Sequence, residues 1–137
     1  MKKQNIALTV DAVIFYRKAD ILNVLLIRRK NDPFRDQWAL PGGFLEENET
    51  MEEGAKRELE EETGLKIKKL QQVAAFGTPG RDPRGRTISI AFVGLVDAEV
   101  KVKASDDAVD AKWFNMNDLP ELAFDHREII SEANSLL

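Results

Sequence analysis

Three closely spaced glutamates are the residues of this sequence best suited to chemistry. Glu58, Glu61 and Glu62 lie three and four positions apart, so in a helix their carboxylates gather on one side and repel one another. An ordinary solvated acidic helix is the alternative, but it does not account for this crowding. A hard divalent cation such as Mg²⁺ or Mn²⁺ prefers carboxylate oxygens and keeps waters that a phosphate can displace. The three glutamates are therefore candidate metal ligands.

The helix that would carry them has a predicted start and a predicted end. Thr50 is followed three residues later by Glu53, a capping box in which each side chain bonds the other residue's backbone amide. Gly64 can adopt the left-handed conformation that ends a helix. The sequence therefore predicts a helix from Met51 to Thr63.

The apolar side of this helix indicates which carboxylates lie near a core. At about 100° per residue, the apolar stripe is formed by Met51, Ala55 and Leu59. Glu62 falls inside the stripe and Glu58 lies at its edge. Arg57 precedes Glu61 by four residues and can brace that carboxylate.

The stretch around these residues resembles the signature of a known superfamily. Its residues match, at the same spacing, the complete signature box of the Nudix hydrolases: Gly43, Glu49, Arg57-Glu58-Leu59, Glu61-Glu62 and Gly64-Leu65. The resemblance implies an α/β fold, with a mixed β-sheet sandwiched between this helix and a C-terminal helix that we predict over residues 125–136. It also implies metal-dependent hydrolysis of a nucleoside diphosphate linked to another group, with Mg²⁺ or Mn²⁺ as cofactor.

The same resemblance implies roles for individual residues. The metal ligands would be Glu58, Glu61, Glu62 and the backbone carbonyl of Gly43. Glu49 and Arg57 would support them. Either Glu61 or Asp107, an acid in a loop outside the box, would take the proton of the attacking water. An ordinary turn residue is the alternative for Asp107.

Arginines outside the box are candidates for holding the diphosphate, because a guanidinium offers a planar fork of donors. Arg28 closes a predicted strand, where a solvated strand end is the alternative. Three more lie in a loop that is longer than most hairpin loops: Arg81, Arg84 and Arg86. His126, near the start of the C-terminal helix, is a candidate substrate contact, and a structural cap is its alternative.

Further stretches resemble one branch of the superfamily. The arginine loop and the run Leu122-Ala123-Phe124-Asp125-His126 are similar to ADP-ribose pyrophosphatases, which implies that ADP-ribose is split to AMP and ribose 5-phosphate. Two alternatives remain open: a nucleoside triphosphate pyrophosphohydrolase, and a module that senses ADP-ribose without hydrolysing it. Regulators of the second kind add a DNA-binding domain, so the intact box and the end of the sequence at Leu137 favour the enzyme.

The remaining elements are predicted from runs of apolar and β-branched residues. These predict strands over residues 6–16, 21–27, 67–76, 88–96 and 111–114, with a continuation over 96–102. Strands and helices together indicate the α/β class.

Length and composition predict a single domain over residues 1–137 with one core. The absence of cysteine and the single histidine exclude disulfides, thiolate sites and imidazole clusters.

Charge is unevenly distributed along the chain. Between Glu46 and Glu62 there are nine glutamates and two cations, and the rest of the chain is mildly basic, which suits a small metal-bound polyanion. No basic aromatic stripe, signal peptide or membrane-length apolar run appears, so we expect no nucleic acid or membrane partner and a cytoplasmic location. A homodimer is compatible with the sequence.

Overall fold

The order of the elements places one helix between strands and one near the end of the chain. The computed structural model describes residues 2–104 and 108–137, and within them the elements are β1 (Ala7–Lys18), β2 (Ile21–Arg29), β3 (Trp38–Ala39), β4 (Gly42–Phe44), α1 (Met51–Thr63), β5 (Gln71–Phe76), β6 (Thr87–Val96), β7 (Ala108–Asn115) and α2 (His126–Asn134). In this part of the chain neither helix is long and apolar enough to span a bilayer.

Strand β1 lies in the middle of the sheet, whose strand order is β3-β2-β1-β6-β5. It runs parallel to β6, from Ala7 beside Thr87 to Tyr16 beside Val96, and β5 adds antiparallel to the far side of β6. The apolar residues in the middle of β1 are fully buried: Val10, Ala12, Val13, Ile14 and Phe15. Both faces of the strand are covered, which explains why its sequence is a nearly continuous apolar run instead of an alternating one.

Strands β1 and β2 diverge, and the divergence makes room for a site. They pair antiparallel only near their hairpin, through residues 15–18 and 21–24. Farther along, β2 pairs with β3, while β1 pairs with β4 through Thr9, Val10 and Asp11. Strand β7 pairs along β2 from Asn23 to Arg29. The segment from β3 to β4 therefore passes between the two strands and brings Gly42 and Gly43 to the gap.

One helix covers each face of the sheet. From α1, Ala55 and Leu59 pack with one set of alternate β1 residues. From α2, Ile129, Ile130 and Ala133 pack with the other set, because successive side chains of a strand point to opposite faces. The α/β fold predicted from the resemblance, a mixed sheet between two helices, is confirmed.

The boundaries of α1 are those predicted from its capping residues. Glu53 donates its N–H to Thr50 Oγ1 at 3.1 Å, and Thr50 donates its N–H to Glu53 Oε1 at 2.8 Å. Gly64 has a φ of 77° and donates its N–H to the carbonyl of Glu60. The helix from Met51 to Thr63 is thus confirmed, together with the local cause of each end.

Strand boundaries agree less well with the predictions. The strand predicted over 67–76 begins at Gln71, because the N–H of Leu70 donates to Glu52 Oε2 of α1 at 3.1 Å. The continuation predicted over 96–102 is wrong, since no strand occupies residues 97–104. There the apolar side chains of Val100 and Val102 pack against the α1 side of the core, so they satisfy burial without joining the sheet.

Candidate active site

Arg57 is the centre of a carboxylate network beside α1. Its Nε and Nη2 donate to the two oxygens of Glu49 at 2.9 and 2.7 Å, a bidentate pair. Its Nη1 donates to Glu58 Oε1 at 2.8 Å and to Glu61 Oε2 at 3.2 Å. The hydrogen bond to Glu49 is the main cause that raises the pKa of Arg57, and it also lowers the pKa of Glu49. One arginine therefore orients three carboxylates.

Glu62 is the buried member of the acidic group. Only 6% of the surface of Glu62 is exposed, as the place of this residue in the apolar stripe of α1 predicts. Its Oε1 accepts the N–H of Gly42 at 3.1 Å. Burial raises the pKa of Glu62 well above its usual value, and the hydrogen bond and charge of Glu58 raise that pKa further. A carboxyl group in these surroundings is stabilised by a proton or by a cation.

Gly43 lies directly against Glu58. A Cβ at this position would come within 2.7 Å of the Glu58 carboxyl carbon, so any side chain here would displace that carboxylate. The two carboxylates of Glu58 and Glu62 and the nearby backbone offer oxygen donors, which are the donors that Mg²⁺ and Mn²⁺ prefer. The residues present therefore fit a hard divalent cation.

Glu61 is placed differently from Glu58 and Glu62. Its side chain is 45% exposed and contacts Arg57. Within residues 2–104 and 108–137, no three acidic or histidine side chains converge as a preformed ion site. The structure thus brings Glu58 and Glu62 together and places Glu61 at the solvent edge. Asp107, the loop acid of the sequence prediction, lies outside the described residues.

An open cleft of about 410 Å³, here called the outer cleft, adjoins the acidic pair. Its lining combines the acids Glu58 and Glu62 with the cations Arg29, Lys30 and Arg84. A site with both signs of charge suits a polyanion that arrives with a metal ion.

A narrower cavity of about 40 Å³, here called the inner pocket, adjoins the outer cleft. The two share Thr9, Arg29, Gly42, Gly43 and Arg84. The rest of the inner pocket is lined by Asp11, Leu40, Arg81, Asp82, Phe124 and His126. The outer cleft, which carries both signs of charge, therefore continues into a small polar pocket in the gap between β1 and β2.

The three loop arginines occupy three different surroundings. The side chain of Arg81 is buried and pairs with both carboxylate oxygens of Asp125 at 2.8 and 2.6 Å. Arg84 lines both cavities and pairs with Asp82 through Nε at 3.1 Å and Nη2 at 2.8 Å. Arg86 lines neither cavity and instead contributes to surface hollows beside the N-terminal residues. The structure therefore brings Arg81 and Arg84 to the site, but not Arg86.

Sequence reasoning selected Arg28 and missed its neighbour. Arg29 lines both cavities, donates from Nε to the carbonyl of Pro33 at 2.8 Å and places its guanidinium 5.1 Å from the Phe124 ring. Arg28 lines neither cavity. The position of Arg29 two residues after the buried Ile27, on a strand with period two, is the signal that could have identified it.

His126 lines the inner pocket from the first residue of α2. Its Nδ1 accepts the N–H of Leu40 at 3.0 Å, so Nε2 carries the hydrogen of the neutral ring. Burial lowers the pKa of His126, against the charges of Asp11 and Asp125. Nε2 lies 3.8 Å from Oδ1 of Asp11, and Oδ2 of Asp11 accepts the hydroxyl of Ser89.

Asp11 is a second residue that sequence reasoning missed. It is a buried acid in the middle of an apolar strand. That was the available signal, because a buried aspartate is rare unless it is paired or functional.

Comparisons with known proteins match most of the chain to one kind of domain. Residues 6–133 match the NUDIX domain. An ADP-ribose pyrophosphatase of Methanocaldococcus jannaschii is 50% identical over 110 residues, which are 80% of this chain and 64% of that protein. An ADPR responsive transcriptional repressor of Acinetobacter baylyi, NtrR, is 35% identical over 130 residues, which are 92% of this chain and 52% of the repressor.

A solved structure shows the same fold. The NUDIX domain of Shewanella oneidensis NrtR, complexed with ADP ribose, has a TM-score of 0.90 and 34% identity, over 98% of this chain and 90% of that one. The chain spans less than two thirds of the length of the two relatives above, 64% and 52%. The domain match nevertheless extends over residues 6–133 of this chain, which include the carboxylates of α1. On this evidence the chain belongs to the Nudix hydrolase superfamily.

Proposed function

We propose that the protein hydrolyses the diphosphate bond of a nucleoside diphosphate derivative, and that its substrate is ADP-ribose, which is split by water to AMP and ribose 5-phosphate. The observation that carries the proposal is the pair Glu58 and Glu62 beside Gly43, where a buried carboxyl group borders an open cleft. The relative named ADP-ribose pyrophosphatase, at 50% identity, supports the choice of substrate.

The acidic pair would hold Mg²⁺ or Mn²⁺, with the carbonyl of Gly43 and the carboxylate of Glu61 as further donors. Such an ion, when bound, neutralises diphosphate charge and activates water. Arg57 keeps the carboxylate of Glu58 in position through its 2.8 Å hydrogen bond. Glu61 is exposed enough to change rotamer without disturbing the core, and as an exposed carboxylate it can take the proton of the attacking water.

Arg84 is the residue that would bind the diphosphate. Its side chain is 39% exposed and lines the outer cleft. Burial opposes ionisation of Asp82, but the hydrogen bonds from Arg84 outweigh it, so the pKa of Asp82 is lowered and the carboxylate stays charged. The bonds to Asp82 occupy Nε and Nη2, which fixes the plane of the guanidinium and leaves Nη1 for a phosphate oxygen.

A second candidate function is the binding of ADP-ribose without hydrolysis. It is favoured by the repressor relative at 35% identity. The Arg57 network opposes it, because a guanidinium that fixes the carboxylate of Glu58 beside the buried Glu62 suits a metal site for hydrolysis and is not needed to bind a ligand. We therefore retain the enzyme as the proposed function.

A substrate panel with Mg²⁺ tests the proposal. We expect AMP release from ADP-ribose at a far higher kcat/KM than from any nucleoside triphosphate, and loss of turnover in EDTA. The reverse order of substrates would establish the triphosphate pyrophosphohydrolase. Tight binding of ADP-ribose without product at saturating Mg²⁺ or Mn²⁺ would establish the sensor.

A further inference from the structure

We propose that Asp11 and His126 form a hydroxyl-binding subsite in the inner pocket, and that it recognises a sugar hydroxyl on the group attached to the diphosphate. The inference rests on the proposed function and deepens it, because it names the part of the substrate that the inner pocket takes. Neither residue belongs to the acidic group of α1 or to its Arg57 network.

The first argument is the complementarity of the two atoms. Nε2 of His126 is a donor and Oδ1 of Asp11 is an acceptor, and they lie 3.8 Å apart, which is too far for a direct hydrogen bond. A hydroxyl group can accept from the first and donate to the second at the same time. An ionised phosphate oxygen can only accept, and the carboxylate would repel it.

The second argument is that both atoms are already oriented. The Leu40 N–H holds Nδ1 of His126 at 3.0 Å and so directs the N–H of the neutral ring to Nε2. The Ser89 hydroxyl bonds Oδ2 of Asp11 and leaves Oδ1 for another donor. A Cβ at Gly42 would come within 2.3 Å of this Oδ1, so the carboxylate takes its position only because residue 42 is glycine. Such preorganisation lowers the entropy lost on binding.

The third argument is the charge of the inner pocket. Its arginines are matched by aspartates, because Arg81 pairs with Asp125 and Arg84 pairs with Asp82. Asp11 and Arg29 are the remaining charged groups of the lining. With Asp125 counted, which pairs with Arg81 from outside the lining, three arginines meet three aspartates. The charges around the inner pocket therefore balance, which suits a neutral hydroxyl beside Asp11, while the phosphates would lie in the outer cleft, which Arg84 also lines.

The fourth argument is size. A cavity needs about 10–15 Å³ to hold one water-sized group. The inner pocket, at about 40 Å³, therefore admits a few polar atoms and excludes a nucleobase. The outer cleft, at about 410 Å³, has room for the diphosphate and more. We therefore assign the inner pocket to the hydroxyl edge of a sugar.

The test compares two substrates that differ in the group attached to the second phosphate. ADP-ribose carries a hydroxylated sugar on the second phosphate, whereas the β-methyl ester of ADP carries none. We measure kcat/KM with Mg²⁺ for wild type, Asp11→Asn and the exposed control Asp118→Asn. We expect wild type and the control to prefer ADP-ribose by about 10- to 100-fold, the range for a hydrogen bond to a charged group. In Asp11→Asn the ratio should fall towards one.

The outcomes separate this inference from the proposed function. Equal kcat/KM for both substrates in wild type, or an equal loss on both in Asp11→Asn, would overturn the subsite while leaving hydrolysis established. If neither substrate is hydrolysed, calorimetric Kd values in EDTA decide: tighter binding of ADP-ribose supports the subsite and equal binding overturns it. Should Asp11→Asn fail to fold, the test uses Ser89→Ala instead, which removes the hydroxyl that orients Asp11. The ratio of kcat/KM for ADP-ribose to kcat/KM for the methyl ester is then compared between wild type and Ser89→Ala. A preference in wild type that shrinks in Ser89→Ala supports the subsite, and an unchanged ratio overturns it.

Discussion

Glu62 differs from the other glutamates of α1 in being buried and in facing a second carboxylate. A surface glutamate keeps its charge at little expense, whereas this one requires a proton or a cation. Glutamine at position 62 would preserve the shape and could still accept the Gly42 N–H, but it could not hold a metal ion by charge.

We therefore expect Glu62→Gln to lower kcat/KM for ADP-ribose by at least about 100-fold, since even residues that only support a metal ligand reduce activity by 10- to 100-fold when changed. Stability in EDTA should not fall, because the buried ionisable group is gone. Steady-state AMP release and urea denaturation measure the two effects. Glu60→Gln, on the exposed side of the same helix, is the control, and equal losses in both variants would refute the role of Glu62.

The effect of histidine protonation on stability can be assigned to one residue, because His126 is the only histidine of the sequence. Burial lowers its pKa in the folded protein, while in the unfolded chain it titrates near 6.5. As pH falls through 6.5 the unfolded state takes up the proton first, so stability that is present above this pH is progressively lost. The slope can reach about 1.4 kcal/mol per pH unit.

Urea denaturation between pH 7.5 and 5.5 measures this loss. The raised pKa of Glu62 acts with the opposite sign, so the comparison is made in the Glu62→Gln background. Adding His126→Gln should remove the slope. A slope that persists in the double variant would assign it to another group.

At the level of the elements, α1 was predictable because its start and end depend on neighbouring residues, Thr50, Glu53 and Gly64. The segment after β6 was not, because the packing of Val100 and Val102 against α1 depends on contacts distant in sequence. The same distinction holds within the site. Glu58 and Glu62 follow from helical periodicity, whereas Asp11 and Arg29 acquire a common pocket only through the divergence of β1 and β2.

Removal of the helix cap should separate stability from chemistry. Thr50→Ala deletes the acceptor of the Glu53 N–H and should lower the free energy of unfolding by about 1 kcal/mol. Its kcat/KM should stay close to wild type, because Thr50 lines neither cavity. Thr78→Ala, at an exposed threonine without a capping role, is the matched control. A comparable loss of stability in both variants would contradict the capping argument.

At the scale of the whole molecule, metal binding and folding should be linked, because Glu58 and Glu62 meet Gly42 and Gly43 only in the folded sheet. A cation that binds only the folded state stabilises it by about 2.7 kcal/mol at a hundredfold excess over its Kd. Tm should therefore rise with Mg²⁺ or Mn²⁺.

The rise in Tm should shrink in Glu58→Gln, because that variant lacks one of the two facing carboxylates. Sodium chloride at matched ionic strength controls for general screening of the glutamates. Differential scanning calorimetry measures both. If sodium reproduces the whole shift, or if Glu58→Gln leaves it intact, these carboxylates do not form the metal site.

The parallel pairing of β1 with β6 has a consequence for how the protein is made. Asp11 and Ser89 are 78 residues apart in sequence, and closing so long a loop is entropically unfavourable until many contacts form together. A nascent chain that ends shortly after α1 contains the entire acidic motif, yet it has neither β6 nor α2 and hence no inner pocket. The sugar recognition that we propose would therefore arise late in synthesis, and a ligand of the inner pocket would stabilise the folded protein without guiding the early steps of its folding.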